Sequence, residues 1–166
     1  MIYEPGEDSF LLSEQVKKFS KGKKVLDVGC GSGIQMETAI KSGEKKVLGV
    51  GIDGESLEYC RTKFRSLSNQ QRKNDRSSSL FCRKKGLNVR KSNLFSYIED
   101  IFDLIIFNPP YLPKDEREDK ESKKITSGGK KGDEIILKFL KKVKNYLNKN
   151  GIVLIVVSSL TPRERE

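Results

Sequence analysis

Two groups of residues in this 166-residue chain have the types and spacing to do chemistry. The first is Asp27-Val28-Gly29-Cys30-Gly31-Ser32-Gly33. Glycines between an apolar run and a helix let a ligand approach the backbone closely. The helix start then offers its unpaired amides to polar or negative ligand groups. The spacing is G-x-G-x-G, so the G-x-G-x-x-G fingerprint of nicotinamide binders is not met. A plain tight turn would use the same glycines. Asp53 ends the next apolar run. A carboxylate there can accept hydrogen bonds from ribose hydroxyls, or it can serve as the N-cap of the helix that follows.

The second group is Asn108-Pro109-Pro110-Tyr111. Each proline fixes its own φ and biases the residue before it towards extended geometry. The backbone is therefore stiff where it presents the Asn108 side-chain oxygen and the Pro109 carbonyl. Two fixed acceptors match the two protons of a substrate NH2 group. With both protons engaged, the nitrogen lone pair can be aimed at an electrophilic methyl group, and catalysis is then mainly orientation and electrostatics. Tyr111 would supply a flat wall for a planar acceptor. Read without its neighbours, Pro-Pro simply terminates a strand.

The elements that must position these residues follow from hydrophobic periodicity. Glu7 to Phe19 reads as a short amphipathic helix after the breaker Pro5-Gly6, with Glu7 and Asp8 in its first turn. Strands are expected at 24–28, 46–52, 87–91 (weak), 103–107 and 152–157, the last buried on both faces. Helices are expected at 34–40, 55–67 and 133–147. In the last of these Ile135, Ile136, Phe139, Leu140, Val143 and Leu147 mark one face, and Asn150-Gly151 is the stop. Strands alternating with helices imply an α/β fold: one doubly wound domain over 1–166 with a mostly parallel sheet. Ligands in such sheets bind at the carboxyl ends of the strands near the topological switch point. Gly29–Gly33, Asp53, Asn93 and Asn108–Tyr111 all fall at such ends.

Composition narrows the chemistry further. The chain has no histidine, which excludes a His base, a His metal ligand or a Ser-His dyad. Cys30, Cys60 and Cys82 are far apart in sequence and form no C-x-x-C pair. That argues against a disulfide framework and a zinc site, and fits a reducing, cytoplasmic setting. No apolar run reaches the roughly 18 residues of a membrane span, and the acidic opening MIYEPGEDSF is not a signal peptide. The net charge is +10. Arg61 to Lys91 carries eleven basic residues against the single acid Asp75, which accounts for all of it. The polar stretch within it, 68–85, reads as a loop insertion. It is either a surface for RNA or for a partner seated on RNA, or a solvated loop.

The segments YEPGEDSFLL, LDVGCGSG, IIFNPPYLP and SGGKKGDEII together resemble the archaeal and eukaryotic branch of the HemK-type protein-glutamine N5-methyltransferases. The likeness runs from Tyr3 to Pro162. NPPY alone is shared with nucleic-acid adenine-N6 methyltransferases; the YEP-x-ED-S opening points to this branch. The resemblance implies the class I S-adenosylmethionine-dependent fold and S-adenosylmethionine as cofactor. It implies as substrate the glutamine of the Gly-Gly-Gln loop of a class-one translation release factor, and as partner a small zinc-binding activator that pairs with the sheet. It places Ser9 at the methionine end of the cofactor, and Asp27, Gly29, Gly31 and Gly33 in the glycine loop. Asp53 falls at the ribose, Asn93-Leu94 beside the adenine ring, and Asn108, Pro109, Pro110 and Tyr111 in the substrate clamp. The sequence departs from the family at Asn93, where the family usually has Asp, and in the longer basic insertion. It ends at Glu166 without the helix and antiparallel hairpin that follow the fifth strand in the family. Two other readings remain beside glutamine methylation: an adenine-N6 or other RNA or DNA methyltransferase, and an inactive cofactor-binding partner module.

Overall fold

The structure is a computed structural model and describes residues 4–74, 88–110 and 133–157, with the side chains of 67–74 outside the description. Along the chain come α1 (Glu7–Phe19), β1 (Lys24–Val28), α2 (Ile34–Lys41), β2 (Lys46–Gly51), α3 (Gly54–Asn74), β3 (Asn88–Lys91), β4 (Phe102–Phe107), α4 (Glu134–Val143), a 3-10 turn (Lys144–Tyr146) and β5 (Leu147–Ile155). The described strands form one sheet in the order β3-β2-β1-β4-β5, with every pairing parallel. The chain winds outward from β1 to β3, then crosses back to β4 beside β1. The topological switch point therefore lies between β1 and β4, and a crevice opens at their carboxyl ends.

Alternation along the central strands builds two apolar layers. Val25, Leu104 and Ile106 meet Leu12, Val16, Met36, Leu57, Cys60 and Phe64 from α1, α2 and α3 on one face. Leu26, Val28, Ile105 and Phe107 meet Phe95, Phe139 and Val143 on the other. Burial on both faces explains why β1 and β4 read as continuous apolar runs. Phe107 packs on Phe139 with ring centroids 4.5 Å apart, and Phe95 stacks between Phe139 and Tyr146. This aromatic floor supports the end of β4, where Asn108 follows.

Three expectations need correction. The segment 68–85 is not wholly a loop, because α3 continues through Asn74. Its second half has few apolar residues, so hydrophobic periodicity gives no signal there. The fifth strand is not buried on both faces: Ile152 to Val156 are all only half-buried. β5 is an outer strand among those described, so only β4 covers it from the side. The last helix ends earlier than 147, and Asn150-Gly151 lies within β5 after a register irregularity between Phe102 and Leu104. On that helix Ile136, Phe139 and Val143 are buried, whereas Leu140 is 49% exposed. Among the described strands the weak third strand stands at the sheet edge.

Candidate active site

A cleft of about 250 Å³ lies at the switch point. It is lined by the ends of β1, β2 and β4, the start of α2 and the first turn of α1. Asp8 and Ser9, Asp27 to Ser32, Asp53, Asn93-Leu94 and Asn108 to Pro110 all face it. The structure thus brings together in one crevice every described candidate except Gly33. Tyr111 lies outside the described residues.

The glycine loop turns sharply because three of its residues adopt left-handed φ angles: +70° at Gly29, +48° at Gly31 and +75° at Gly33. Only glycine takes these values without strain. The loop is pinned by the Cys30 amide, which donates to the Val50 carbonyl at 2.9 Å, and by the Gly33 amide, which donates to the Cys30 carbonyl at 2.7 Å. Gly33 does not line the cleft. A Cβ there would lie 2.9 Å from the Phe64 ring and 3.0 Å from Cys60 Sγ, so this glycine permits close packing of α3 against the loop. Below the loop Asp27 is 2% exposed. Its Oδ2 is buried with no hydrogen-bond partner among the described residues. Burial raises its pKa well above the usual carboxylate range, the nearby Cys60 adds to this, and a hydrogen bond from the Met36 backbone opposes it.

Asp53 takes the capping role that its position allowed. Its Oδ2 accepts from the Ser56 amide at 2.8 Å and from the Ser56 hydroxyl at 2.7 Å, so it caps α3. It also lines the cleft. Beyond β3 the chain turns at Leu94, whose φ is +53°. Ser92, buried and unforeseen in the sequence, donates from its hydroxyl to the Leu94 carbonyl at 3.0 Å and lies within reach of the Ser96 carbonyl. This holds Asn93 and Leu94 at the cleft.

Asn108 meets α1. Its Nδ2 donates to Asp8 Oδ2 at 3.0 Å and to Ser9 Oγ at 3.2 Å. Its Oδ1 is buried and without a partner among the described residues. Helix α1 is itself fastened to α2. Gln35 Nε2 donates to the Ser9 carbonyl at 2.8 Å, and Ser13 Oγ donates to Gln35 Oε1 at 3.0 Å. Asp8 and Gln35 were not among the sequence candidates. Asp8 carried a signal as an acid in the first turn of a helix, which is explained by the helix dipole alone; nothing in the sequence pairs it with Asn108.

The fold brings together two cysteines that are 30 positions apart in the chain. Cys30 and Cys60 are both buried free thiols in contact. Cys30 donates to Cys60, which pushes the Cys30 thiol up and lowers that of Cys60. Cys60 donates in turn to the Gly31 carbonyl at 3.1 Å. Cys82 lies outside the described residues. Two of the basic residues of the 61–91 segment are structural. Arg61 pairs with Glu58 and donates to the Val89 carbonyl at 3.2 Å, while Lys63 ties α3 to Glu37 of α2 at 2.8 Å.

A glycine loop, an acid after β2 and an Asn-Pro-Pro exit from β4 thus stand around one crevice. The methyltransferase small domain family model matches residues 6–165. A candidate protein N5-glutamine methyltransferase of Methanocaldococcus jannaschii is 36% identical over 162 residues, covering 96% of this chain and 74% of that protein. The chain belongs to the methyltransferase small domain family, in its HemK-type branch. This methyltransferase is also 29% identical over 172 residues to the eRF1 methyltransferase catalytic subunit of Schizosaccharomyces pombe, covering 93% of this chain and 71% of the relative. Among solved structures, the ribosomal protein L11 methylase of Lactobacillus delbrueckii subsp. bulgaricus superposes with a TM-score of 0.62 at 22% identity, over 93% of this chain and 62% of that one. That likeness concerns the fold: the class I methyltransferase sheet with helices on both faces. Among the described residues no helix is long and apolar enough to cross a membrane.

Proposed function

We propose that this methyltransferase transfers a methyl group from S-adenosylmethionine to the side-chain amide nitrogen of a glutamine, that of the Gly-Gly-Gln loop of a translation release factor. The observation that carries the reading is the Asn108 oxygen, buried and without a partner among the described residues, on a side chain that lines the cleft beside Pro109. A buried acceptor without a partner costs about 1–3 kcal/mol, so its natural complement is a ligand N–H. Pro109 is held by the ring of Pro110 behind it, and its carbonyl is the second acceptor. Together they take both protons of a primary amide and direct the nitrogen lone pair along one line.

The cleft suits the cofactor. Gly29 and Gly31 bring the backbone close, the Asp53 carboxylate stands where ribose hydroxyls can donate, and Asn93-Leu94 flank the place for a flat base. Ser9, beside Asn108, is the residue we assign to the methionine moiety. Bound S-adenosylmethionine supplies an electrophilic methyl group on a sulfonium sulfur. Asn108 Oδ1 and Pro109 O would stabilise the positive charge that grows on the NH2 as its bond to the methyl group forms and the methyl–sulfur bond breaks, with S-adenosylhomocysteine as the leaving group. One of the N–H protons then leaves to solvent, which restores the neutral amide. No carboxylate or histidine base is required.

The names of the archaeal and fission-yeast relatives support a protein glutamine and a release factor as substrate. The designation of the yeast protein as a catalytic subunit supports a second subunit, which we take to be a small zinc-binding activator pairing with the edge of β3 that is open among the described residues. The reaction then belongs to the cytosol, where translation ends. Mass spectrometry of a release factor incubated with the chain, labelled cofactor and candidate activator tests the reading. A single methyl group on the Gly-Gly-Gln glutamine is expected. Methylated adenine in tRNA or rRNA with an unmodified release factor would overturn it, as would cofactor binding without turnover on either.

A further inference from the structure

We propose that Asp8 is a positioning residue that fixes which way the Asn108 carboxamide faces. The inference rests on the reading of Asn108 as an acceptor for the substrate amide. A carboxamide turned by 180° about its last bond exchanges oxygen and nitrogen with almost no change in shape. Packing therefore does not choose between the two orientations; hydrogen-bond partners do. In one orientation the oxygen faces the cleft and accepts a substrate N–H. In the other the cleft receives an NH2 group, which repels the amide it should hold.

Asp8 makes the choice. Its Oδ2 lies 3.0 Å from Asn108 Nδ2, and a carboxylate only accepts, so nitrogen must face it. Reversal would set the Asn108 oxygen against the carboxylate and lose the bond. Ser9 Oγ, at 3.2 Å, does not choose by itself, because a hydroxyl both donates and accepts. Its proton is directed towards Asp8 Oδ1 at 3.4 Å, which leaves it an acceptor for Asn108 as well. Asp8 is in turn fixed on the first turn of α1, since its Oδ1 accepts from the Ser9 amide at 2.7 Å. The outcome is a buried Asn108 oxygen without a partner among the described residues, on a side chain that lines the cleft.

A double-mutant cycle with a spectroscopic arm tests this. In the otherwise intact chain, with its activator if one is required, Asp8→Ala is expected to lower kcat about tenfold or more, the scale of a misplaced reacting group. In an Asn108→Ala background the same change is expected to cost less than about threefold, because a residue acting through Asn108 has nothing left to position. Equal losses in both backgrounds would overturn the proposal. Asn108→Asp alone sets two carboxylates against each other. The exchanged pair, Asp8→Asn with Asn108→Asp, restores one donor facing one carboxylate and leaves an oxygen at the cleft. It is expected to be about tenfold or more faster than Asn108→Asp alone; an exchanged pair no faster than the single variant would overturn the idea. The third measurement needs no turnover. The side-chain 15N–1H2 resonances of Asn108, identified by their loss in Asn108→Ala, are expected to move to ordinary solvated-amide positions in Asp8→Ala. Unchanged resonances would overturn the positioning role. A parent chain that methylates no glutamine but shows the resonance shift would refute the proposed substrate while upholding Asp8.

Discussion

Gly31 and Gly33 stand two residues apart in one loop, and their replacement by alanine should fail in opposite ways. Both have left-handed φ angles, +48° and +75°, so each alanine carries about 1–2 kcal/mol of backbone strain. The surroundings then separate them. A Cβ on Gly31 meets only the Gly29 carbonyl oxygen at 3.8 Å, an ordinary contact, and stands on the cleft side. A Cβ on Gly33 would lie 2.9 Å from one Phe64 ring carbon, 3.1 Å from another and 3.0 Å from Cys60 Sγ. Phe64 is 1% exposed and Cys60 fully buried, so neither can swing aside into solvent. Overpacking of this kind adds about 1–3 kcal/mol. The total for Gly33→Ala is then about 2–5 kcal/mol, against about 1–2 kcal/mol for Gly31→Ala. Urea unfolding gives the stabilities, and calorimetric titration with S-adenosylhomocysteine gives the binding. Gly31→Ala should keep most of its stability and lose cofactor affinity, whereas Gly33→Ala should lose stability first. Equal destabilisation by the two substitutions would refute the assignment of Gly33 to packing and of Gly31 to the cleft.

Asn108→Ala should lower the single-turnover rate of methyl transfer on the order of 10²-fold, the scale for one preorganised hydrogen-bonding group, with a much smaller change in cofactor affinity. Asp53→Ala should weaken cofactor binding by about 1.5–3 kcal/mol in calorimetry, and should also destabilise the fold by about 1 kcal/mol in urea, because the α3 cap is lost with it. Asp27 has a folded-state pKa raised by burial, so it contributes stability below the ordinary carboxylate range that is lost as the pH rises towards its raised value. Asp27→Asn should accordingly flatten the fall in urea midpoint between acid and neutral pH, and an unchanged pH profile would count against a buried, protonated Asp27. If the 61–91 segment contacts RNA or an RNA-bound factor, replacing Arg72, Lys73, Arg76, Arg83, Lys84 and Lys85 by serine should flatten the salt dependence of that binding in a filter assay, and an unchanged slope would make the segment a solvated loop.

The layout of the site was legible where local chemistry dictated local structure. The run 103–107 reads as a buried strand because it is apolar from Leu104 onward, and Asn108-Pro109-Pro110 marks its end because proline cannot continue it. The glycine loop declares a turn that other residues would strain. What escaped the sequence depends on contacts between distant segments. The partner of Asp8 is 100 positions away, and Cys30 meets Cys60 only because α3 packs on the glycine loop. The second half of α3 escaped for another reason: a helix without an apolar stripe leaves no period to detect. β5 was read as fully buried from its own residues, but burial of an outer strand is decided by what lies beside it.

The sheet order also constrains the moment at which a nascent chain can acquire its site. β1 is complete once Val28 has been made and its partner β2 once Gly51 has been made, but its other edge waits for Leu104 to Phe107. Until then the innermost strand of the finished sheet is an outer one, with Val25, Leu26 and Val28 lacking their neighbour. Open edges of this kind pair with whatever strand is at hand. The crevice is absent for the same interval, since one of its walls is the exit of β4. Ribosome-stalled chains ending before Phe102 should therefore bind no cofactor analogue and should recruit holding chaperones. Both properties should reverse together once the stall point allows β4 to clear the exit tunnel.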